Sequence, residues 1–193
     1  AERLGRVHEL GRRVRSSVAA AASSAPADVQ LFVNLHPSDL VDPELVEKTA
    51  LSEHARRVVL EITERASLEG MNDLAERLKT LREIGYQIAL DDLGAGYAGL
   101  TSLTTLAPDV VKLDMTLVRN IDADERRRQV VGSLTTLCEA LAMRVVIEGV
   151  ETIRERDAVR KLGGDVMQGY FFARPGKTFA DVDAKLFYDA SLA

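Results

Sequence analysis

Cysteine is almost absent. Cys138 stands alone among 193 residues, so no disulfide can form within the chain and a disulfide-stapled secreted scaffold is excluded. Long apolar runs are missing too. The longest, at 18–22 and 145–147, fall far short of the ~20 residues that cross a bilayer. No apolar segment follows a charged start, so nothing reads as a signal peptide. Basic charge is not in excess: 25 Lys and Arg face 30 Asp and Glu, a formal charge of −5. A chain of that sign is a poor match for a nucleic-acid backbone, and no nucleic-acid polymer is expected as a partner. There is no initiating methionine. The chain opens at Ala1 and is expected to be processed or a piece of something longer. No Ser-His-Asp arrangement is visible.

What is present is a globular balance, 46 % hydrophobic and 28 % charged, over a length that suits about one domain. Two kinds of periodicity alternate. Short β-branched runs at 29–35, 57–63, 86–92, 109–114, 144–148 and 165–171 read as strands. Helical spacing lies between them, as in Met71, Leu74, Leu78, Leu81 and Ile84. Val130, Leu134, Leu137, Cys138 and Leu141 form a second apolar stripe, which places Cys138 in the core. Residues 4–18 predict an arginine-faced helix that ends in the Ala/Ser stretch 19–25. Gly85 and Gly163–Gly164 fall where helices end and strands begin, the C-cap position.

Strands alternating with helices predict parallel pairing through helical crossovers. The strand ends step along the chain by about 27 residues, one β/α unit each. Six units fit. A (β/α)8 barrel needs ~250 residues, so the chain reads as a TIM-like barrel with about two strands missing upstream. A doubly wound sheet is the competing architecture. It calls for a glycine-rich first turn, which does not follow the run at 29–35.

The polar residues carry the functional signal. Asn34, Glu61, Asp91, Asp92, Lys112, Glu148 and Gln168 each end a predicted strand. In a barrel those ends meet on one face, where barrel enzymes do their chemistry. A ring of acids around one lysine is costly unless cations neutralise it, and hard oxygen ligands suit Mg²⁺ or Mn²⁺. His8, His36 and His54 lack metal-ligand spacing; His8 and His54 read as surface residues, and His36 is the exception because it follows Asn34-Leu35.

These residues sit in Glu61-Ile62-Thr63-Glu64, Asp91-Asp92-Leu93-Gly94-Ala95-Gly96-Tyr97, Lys112-Leu113-Asp114, Glu148-Gly149-Val150-Glu151-Thr152 and Gln168-Gly169-Tyr170. In that order the set resembles the signatures of the EAL domain, the bacterial cyclic di-GMP phosphodiesterase family with a (β/α)8-like barrel. Val33-Asn34-Leu35 and Ala173-Arg174-Pro175 extend the resemblance over essentially all of residues 1–193. It implies hydrolysis of cyclic di-GMP to linear pGpG with two Mg²⁺ or Mn²⁺ ions. Asn34, Glu61 and Asp91 would hold the first ion. Asp91, Asp92 and Glu148 would hold the second. Lys112 would hold the attacking water, with Glu148 beside it, and Gln168 would position water or phosphate. Glu64 would anchor the loop after Asp92. Asp114, Arg174 and Pro175 would meet the nucleotide. Gly94, Ala95, Gly96 and Tyr97 would form a loop coupling the metals to a homodimer interface. The resemblance also implies a cytoplasmic location and an upstream sensory or GGDEF domain.

The sequence departs from the family in two ways. No Glu-Ala-Leu ends a strand. Glu139-Ala140-Leu141 spells it, but in a helical segment, so the true motif is expected before Ala1. In the loop, Leu93, Ala95, Ala98 and Gly99 replace an aromatic and three hydroxyls of the usual pattern. These departures favour the alternative, a catalytically silent receptor for the nucleotide or a protein-interaction module.

Overall fold

The computed structural model describes residues 6–63, 73–95, 99–176, Phe179 and Leu186. Helix α1 (Val7–Ala22) leads into β1 (Leu31–Asn34), α2 (Pro43–Val46) and β2 (Val58–Thr63). Then come α3 (Leu74–Ile84), β3 (Gln87–Leu93), α4 (Gly99–Leu106) and β4 (Val110–Leu113). The chain continues through α5 (Met115–Val118), α6 (Glu125–Ala140), β5 (Arg144–Ile147), α7 (Ile153–Lys161) and β6 (Val166–Met167). Short 3₁₀ segments at Pro37–Val41 and Ser52–Arg57 flank α2.

The strands hydrogen-bond in sequence order, β1-β2-β3-β4-β5-β6. The β1–β2, β2–β3 and β5–β6 pairs are parallel. A doubly wound sheet would reverse its strand order at a switch point. Among the described residues no reversal occurs, so the architecture is that of a partial (β/α)8 barrel, with six strands described. The chain divides inside β4 into two compact units, Ala1–Val111 and Lys112–Ala193.

In the first unit the core lies on β2 and β3. Val58, Val59, Leu60 and Ile62 are fully buried, as are Ile88, Ala89 and Leu90. Strands covered on both faces need continuous apolar runs, which explains why these segments do not alternate. Leu74, Leu78 and Leu81 of α3 are buried, as their spacing predicts. Gly85 ends that helix in the left-handed region, φ +117°, with its N–H bonded to the Leu81 and Arg82 carbonyls. In the second unit Val131, Cys138, Ile147, Val150 and Val159 are fully buried.

Three expectations need correction. Helix α1 continues through Ala22, so its Ala stretch is helix and packs Ala19 and Ala22 inward. Strand β6 is two residues long, and beyond Met167 the chain turns instead of continuing to 171. The buried stripe of α6 is Val131, Thr135 and Cys138. Val130, Leu137 and Leu141 are 46 %, 38 % and 50 % exposed. Thr135 donates its hydroxyl to the Val131 carbonyl at 2.9 Å, so it packs as an apolar residue although it counts as polar. That shifts the inward face by one residue from the sequence stripe.

Helix α1 is held by charge more than by apolar contact. Asp42, buried, caps α2 through the Glu44 N–H at 3.1 Å. Its carboxylate also accepts Arg12 Nε at 3.0 Å and Nη2 at 2.8 Å, and a short bond from Arg15 Nη2. Asp39 is buried beside it and pairs with His8 Nδ1 at 3.0 Å. The Arg12 guanidinium is the main reason that the Asp42 carboxyl is lowered from 3.8 to about 2, against the opposing effect of burial. A depressed carboxyl stabilises the fold above its unfolded value and loses that contribution as pH falls through the folded one. We therefore expect Asp42→Asn to lower stability at neutral pH by about 2 kcal/mol, read as an earlier urea midpoint. The difference from the parent protein should vanish between pH ~4 and ~2; an unchanged gap at pH 2 would refute it.

Candidate active site

In the first unit, register does the positioning. Asn34 pairs with Glu61 across β1 and β2, Glu61 with Ala89 across β2 and β3, and Thr63 with Asp91. Parallel partners share a face and strand residues alternate, so Asn34, Glu61 and Asp91 project from one face near the C-terminal strand ends. Glu61 and Asp91 are buried, and Asn34 is exposed. Two carboxylates buried on one face are stable only with positive charge close by. Their oxygens and the Asn34 carbonyl form a hard donor set that fits Mg²⁺ or Mn²⁺.

Asp92 breaks the alternation. Its φ is +60°, the left-handed region, which costs about 1 kcal/mol or more in a residue other than glycine and is typical of functional turns. Its N–H donates to Asp91 Oδ1 at 3.0 Å, and its carbonyl accepts the Ala95 N–H at 3.0 Å across Gly94. The turn thus closes on both aspartates. Gly96 and Tyr97, expected to continue this loop, and Glu64, expected to anchor it, lie outside the described residues.

In the second unit, Lys112 on β4 is buried and its Nζ lies 2.7 Å from Glu148 Oε1. A charge-assisted hydrogen bond of that length fixes the amine in direction. Asp114 is buried, and its Oδ1 accepts the Thr116 N–H at 2.8 Å, capping α5. Gln168 is exposed, while its backbone is tied on both sides. Its N–H donates to the Ile147 carbonyl at 2.8 Å and its carbonyl accepts the Val150 N–H at 3.1 Å. Arg174 and Pro175 are exposed, with the Arg174 guanidinium 4.5 Å from the Tyr170 ring centroid.

The loop after Glu148 is held by residues that the strand-end pattern did not single out. Glu155 is only 2 % exposed, yet it accepts N–H groups from Asn120, Glu151 and Thr152 at 2.9, 2.9 and 3.0 Å. Burial pushes its carboxyl up, but these backbone donors together outweigh it and the net shift is downward. Arg119 forks onto Glu151, with Nη2 to Oε1 at 2.8 Å. Thr152 and Glu155 form a capping box on α7, and Thr-x-x-Glu is a signature legible in sequence. Gly149, at φ +74°, has no room for a Cβ, which would stand 2.3 Å from Met115 Cβ.

Gly169 is equally constrained, since a Cβ there would stand 2.0 Å from the Val150 carbonyl oxygen. That obstacle is backbone and cannot swing aside. Gly169→Ala is expected to cost roughly 2 kcal/mol or more. Hydrogen exchange should show lost protection at the Val150 and Gln168 amides, with α3 unaffected. Unchanged protection at Val150 would show that the loop can relax around a methyl group.

The chain matches the EAL domain profile over residues 1–175. It is 32 % identical over 184 residues to the probable cyclic di-GMP phosphodiesterase PdeG of Escherichia coli K12, covering 91 % of this chain and 36 % of that protein. It is 36 % identical over 152 residues to the cyclic di-GMP phosphodiesterase RocR of Pseudomonas aeruginosa, covering 76 % and 39 %. The chain thus spans little more than a third of the length of these relatives. Among solved structures, BlrP1 of Klebsiella pneumoniae with manganese and cyclic di-GMP superposes with a TM-score of 0.80 at 33 % identity, covering 89 % of this chain and 45 % of that one. A standalone EAL protein of Vibrio cholerae O395 in its cyclic di-GMP-bound form gives 0.82 at 27 % identity, covering 93 % and 79 %. With the profile spanning most of its length, the chain belongs to the EAL domain family.

Proposed function

We propose that the protein hydrolyses cyclic di-GMP to linear pGpG, using two divalent cations, Mg²⁺ or Mn²⁺. The observation that carries this reading is the shared face of Asn34, Glu61 and Asp91 at adjacent strand ends, a hard oxygen donor set on a rigid sheet. Relatives named as cyclic di-GMP phosphodiesterases, and solved relatives that hold the nucleotide with manganese or calcium, support it.

Asn34, Glu61 and Asp91 would hold one cation, and Asp91, Asp92 and Glu148 the other. When bound, such a pair lowers the pKa of water and neutralises charge that develops on the phosphoryl oxygens. Lys112, held by Glu148, would orient the attacking water and steady its negative charge. Gln168 would donate to water or phosphate. The water oxygen would form a bond to phosphorus as the opposite ester bond breaks, and the proton that the water gives up would end, by way of solvent, on the departing ribose oxygen. Asp114, Arg174 and Pro175 would contact the nucleotide. Glu64 would anchor the loop of Gly94, Ala95, Gly96 and Tyr97, which would link the site to a homodimer partner.

Among the described residues no helix is long and apolar enough to cross a membrane. A cytoplasmic location and an upstream sensory or GGDEF domain are part of the proposal. A receptor reading rests on Leu93 and Ala95, which replace an aromatic and a hydroxyl in the loop after Asp92.

The test is hydrolysis of cyclic di-GMP by the intact protein with Mg²⁺ or Mn²⁺, followed as pGpG release. Activity should depend on the added ion, and Asp91→Asn should lower kcat by about a hundredfold or more. Tight nucleotide binding without turnover would move the protein to the receptor class. Turnover that survives both chelation and Asp91→Asn would overturn the assigned site.

A further inference from the structure

Lys112 and Glu148 belong to different strand ends, those of β4 and β5, and their 2.7 Å contact depends on how the loops that follow are joined. One carboxylate joins both. Glu155, in the first turn of α7, is buried and uses its two oxygens on different loops. Oε1 accepts the Asn120 N–H at 2.9 Å, in the loop that follows β4 and α5. Oε2 accepts the Glu151 and Thr152 N–H groups at 2.9 and 3.0 Å, in the loop that follows β5. Asn120 is left-handed there, φ +58°, a conformation that asparagine tolerates better than most residues. Two further ties run between the same loops. Arg119 forks onto Glu151. The Glu148 N–H donates to the Leu113 carbonyl at 3.0 Å, one residue from Lys112. The two loops thus close into one hydrogen-bonded unit, with Glu155 buried between them.

We propose that Glu155 is a positioning residue: by bridging the two loops it holds Glu148 against Lys112 in the geometry that hydrolysis needs. This rests on the reading that Lys112 and Glu148 serve phosphodiester hydrolysis. Helix capping alone does not require a carboxylate here. Thr-x-x-Gln closes a capping box as Thr-x-x-Glu does, because one acceptor oxygen suffices at the N-cap N–H. A bridge between two sets of N–H donors needs an acceptor on both sides, and only a carboxylate offers that. In Glu155→Gln the amide oxygen would stay with the two donors of Glu151 and Thr152. Its NH2 group would then face the Asn120 N–H, donor against donor. Glu155→Gln therefore separates the two roles: it spares the cap and cuts the bridge.

The experiment compares the intact protein with Glu155→Gln and Thr152→Ala. The second variant removes the hydroxyl that caps the Glu155 N–H but none of the bonds to the Glu155 carboxylate. In steady-state hydrolysis of cyclic di-GMP with Mg²⁺ or Mn²⁺, Glu155→Gln should lower kcat by about tenfold or more and leave KM nearly unchanged. Thr152→Ala should lower the melting temperature and leave kcat close to the parent value. A second measurement needs neither metal nor turnover. Acetic anhydride acetylates accessible lysine amines, and mass spectrometry reads each one. In the presence of a chelator, Lys112 should label severalfold faster in Glu155→Gln, while Lys79, exposed on α3, keeps the parent rate. A parent-like kcat in Glu155→Gln, an effect confined to KM, or an equal loss of kcat in Thr152→Ala would each overturn the proposal. Unchanged labelling of Lys112 would overturn it whether or not the protein turns over. Absence of turnover in the parent protein counts against the hydrolytic reading, and the labelling then decides the bridge.

Discussion

Parallel pairing in strict chain order is the constraint on which the rest depends. Partners in a parallel sheet share a face, and a slip of one residue would send every side chain to the other side. The register of β1, β2 and β3 therefore decides whether Asn34, Glu61 and Asp91 form a donor set or are scattered. The buried apolar residues of β2 and β3 enforce that register, because a slip would turn Glu61 or Asp91 into the packing of α3. Stability and chemistry are thus the same requirement seen from two faces of one sheet.

Where the strands end, polar contacts take over from apolar packing. Asp92 accepts a strained backbone so that its turn can close on Asp91. In the second unit, Glu155 gathers three backbone N–H groups from two loops, and Arg119 holds Glu151 beside them. Gly149 and Gly169 allow backbones to approach where any side chain would collide. These contacts leave the segment that carries Glu148 little freedom, which is what a site needs to keep a carboxylate against Lys112 at 2.7 Å.

Much of this was legible in the chain itself. The β-branched runs mark the six described strands, and the polar residues Asn34, Glu61 and Asp91 near the ends of β1, β2 and β3 share one face. Gly85 marked a helix end correctly because a left-handed cap needs glycine. The Glu-Ala-Leu at 139–141 was correctly read as helical, since α6 runs to Ala140. The buried stripe of α6 departs from the hydropathy pattern because hydropathy treats Thr135 as polar. Only the fold reveals that its hydroxyl is satisfied one turn back, at Val131. Strand β6 was overestimated because apolar, aromatic residues after Gln168 suit a turn packed on Val150 as well as a strand.

The sequence by itself determined the α/β class, the parallel order and which oxygen-bearing side chains stand near the strand ends. Those follow from local periodicity and from residue chemistry, which need no knowledge of distant neighbours. Tertiary structure alone decided which partner each side chain meets. Nothing in the local sequence pairs Asp39 and Asp42 with a partner; α1 brings Arg12 and Arg15 onto them from about thirty residues away. Pairings of that kind depend on how helices pack against the sheet, and packing is a property of surfaces assembled from segments far apart in the chain.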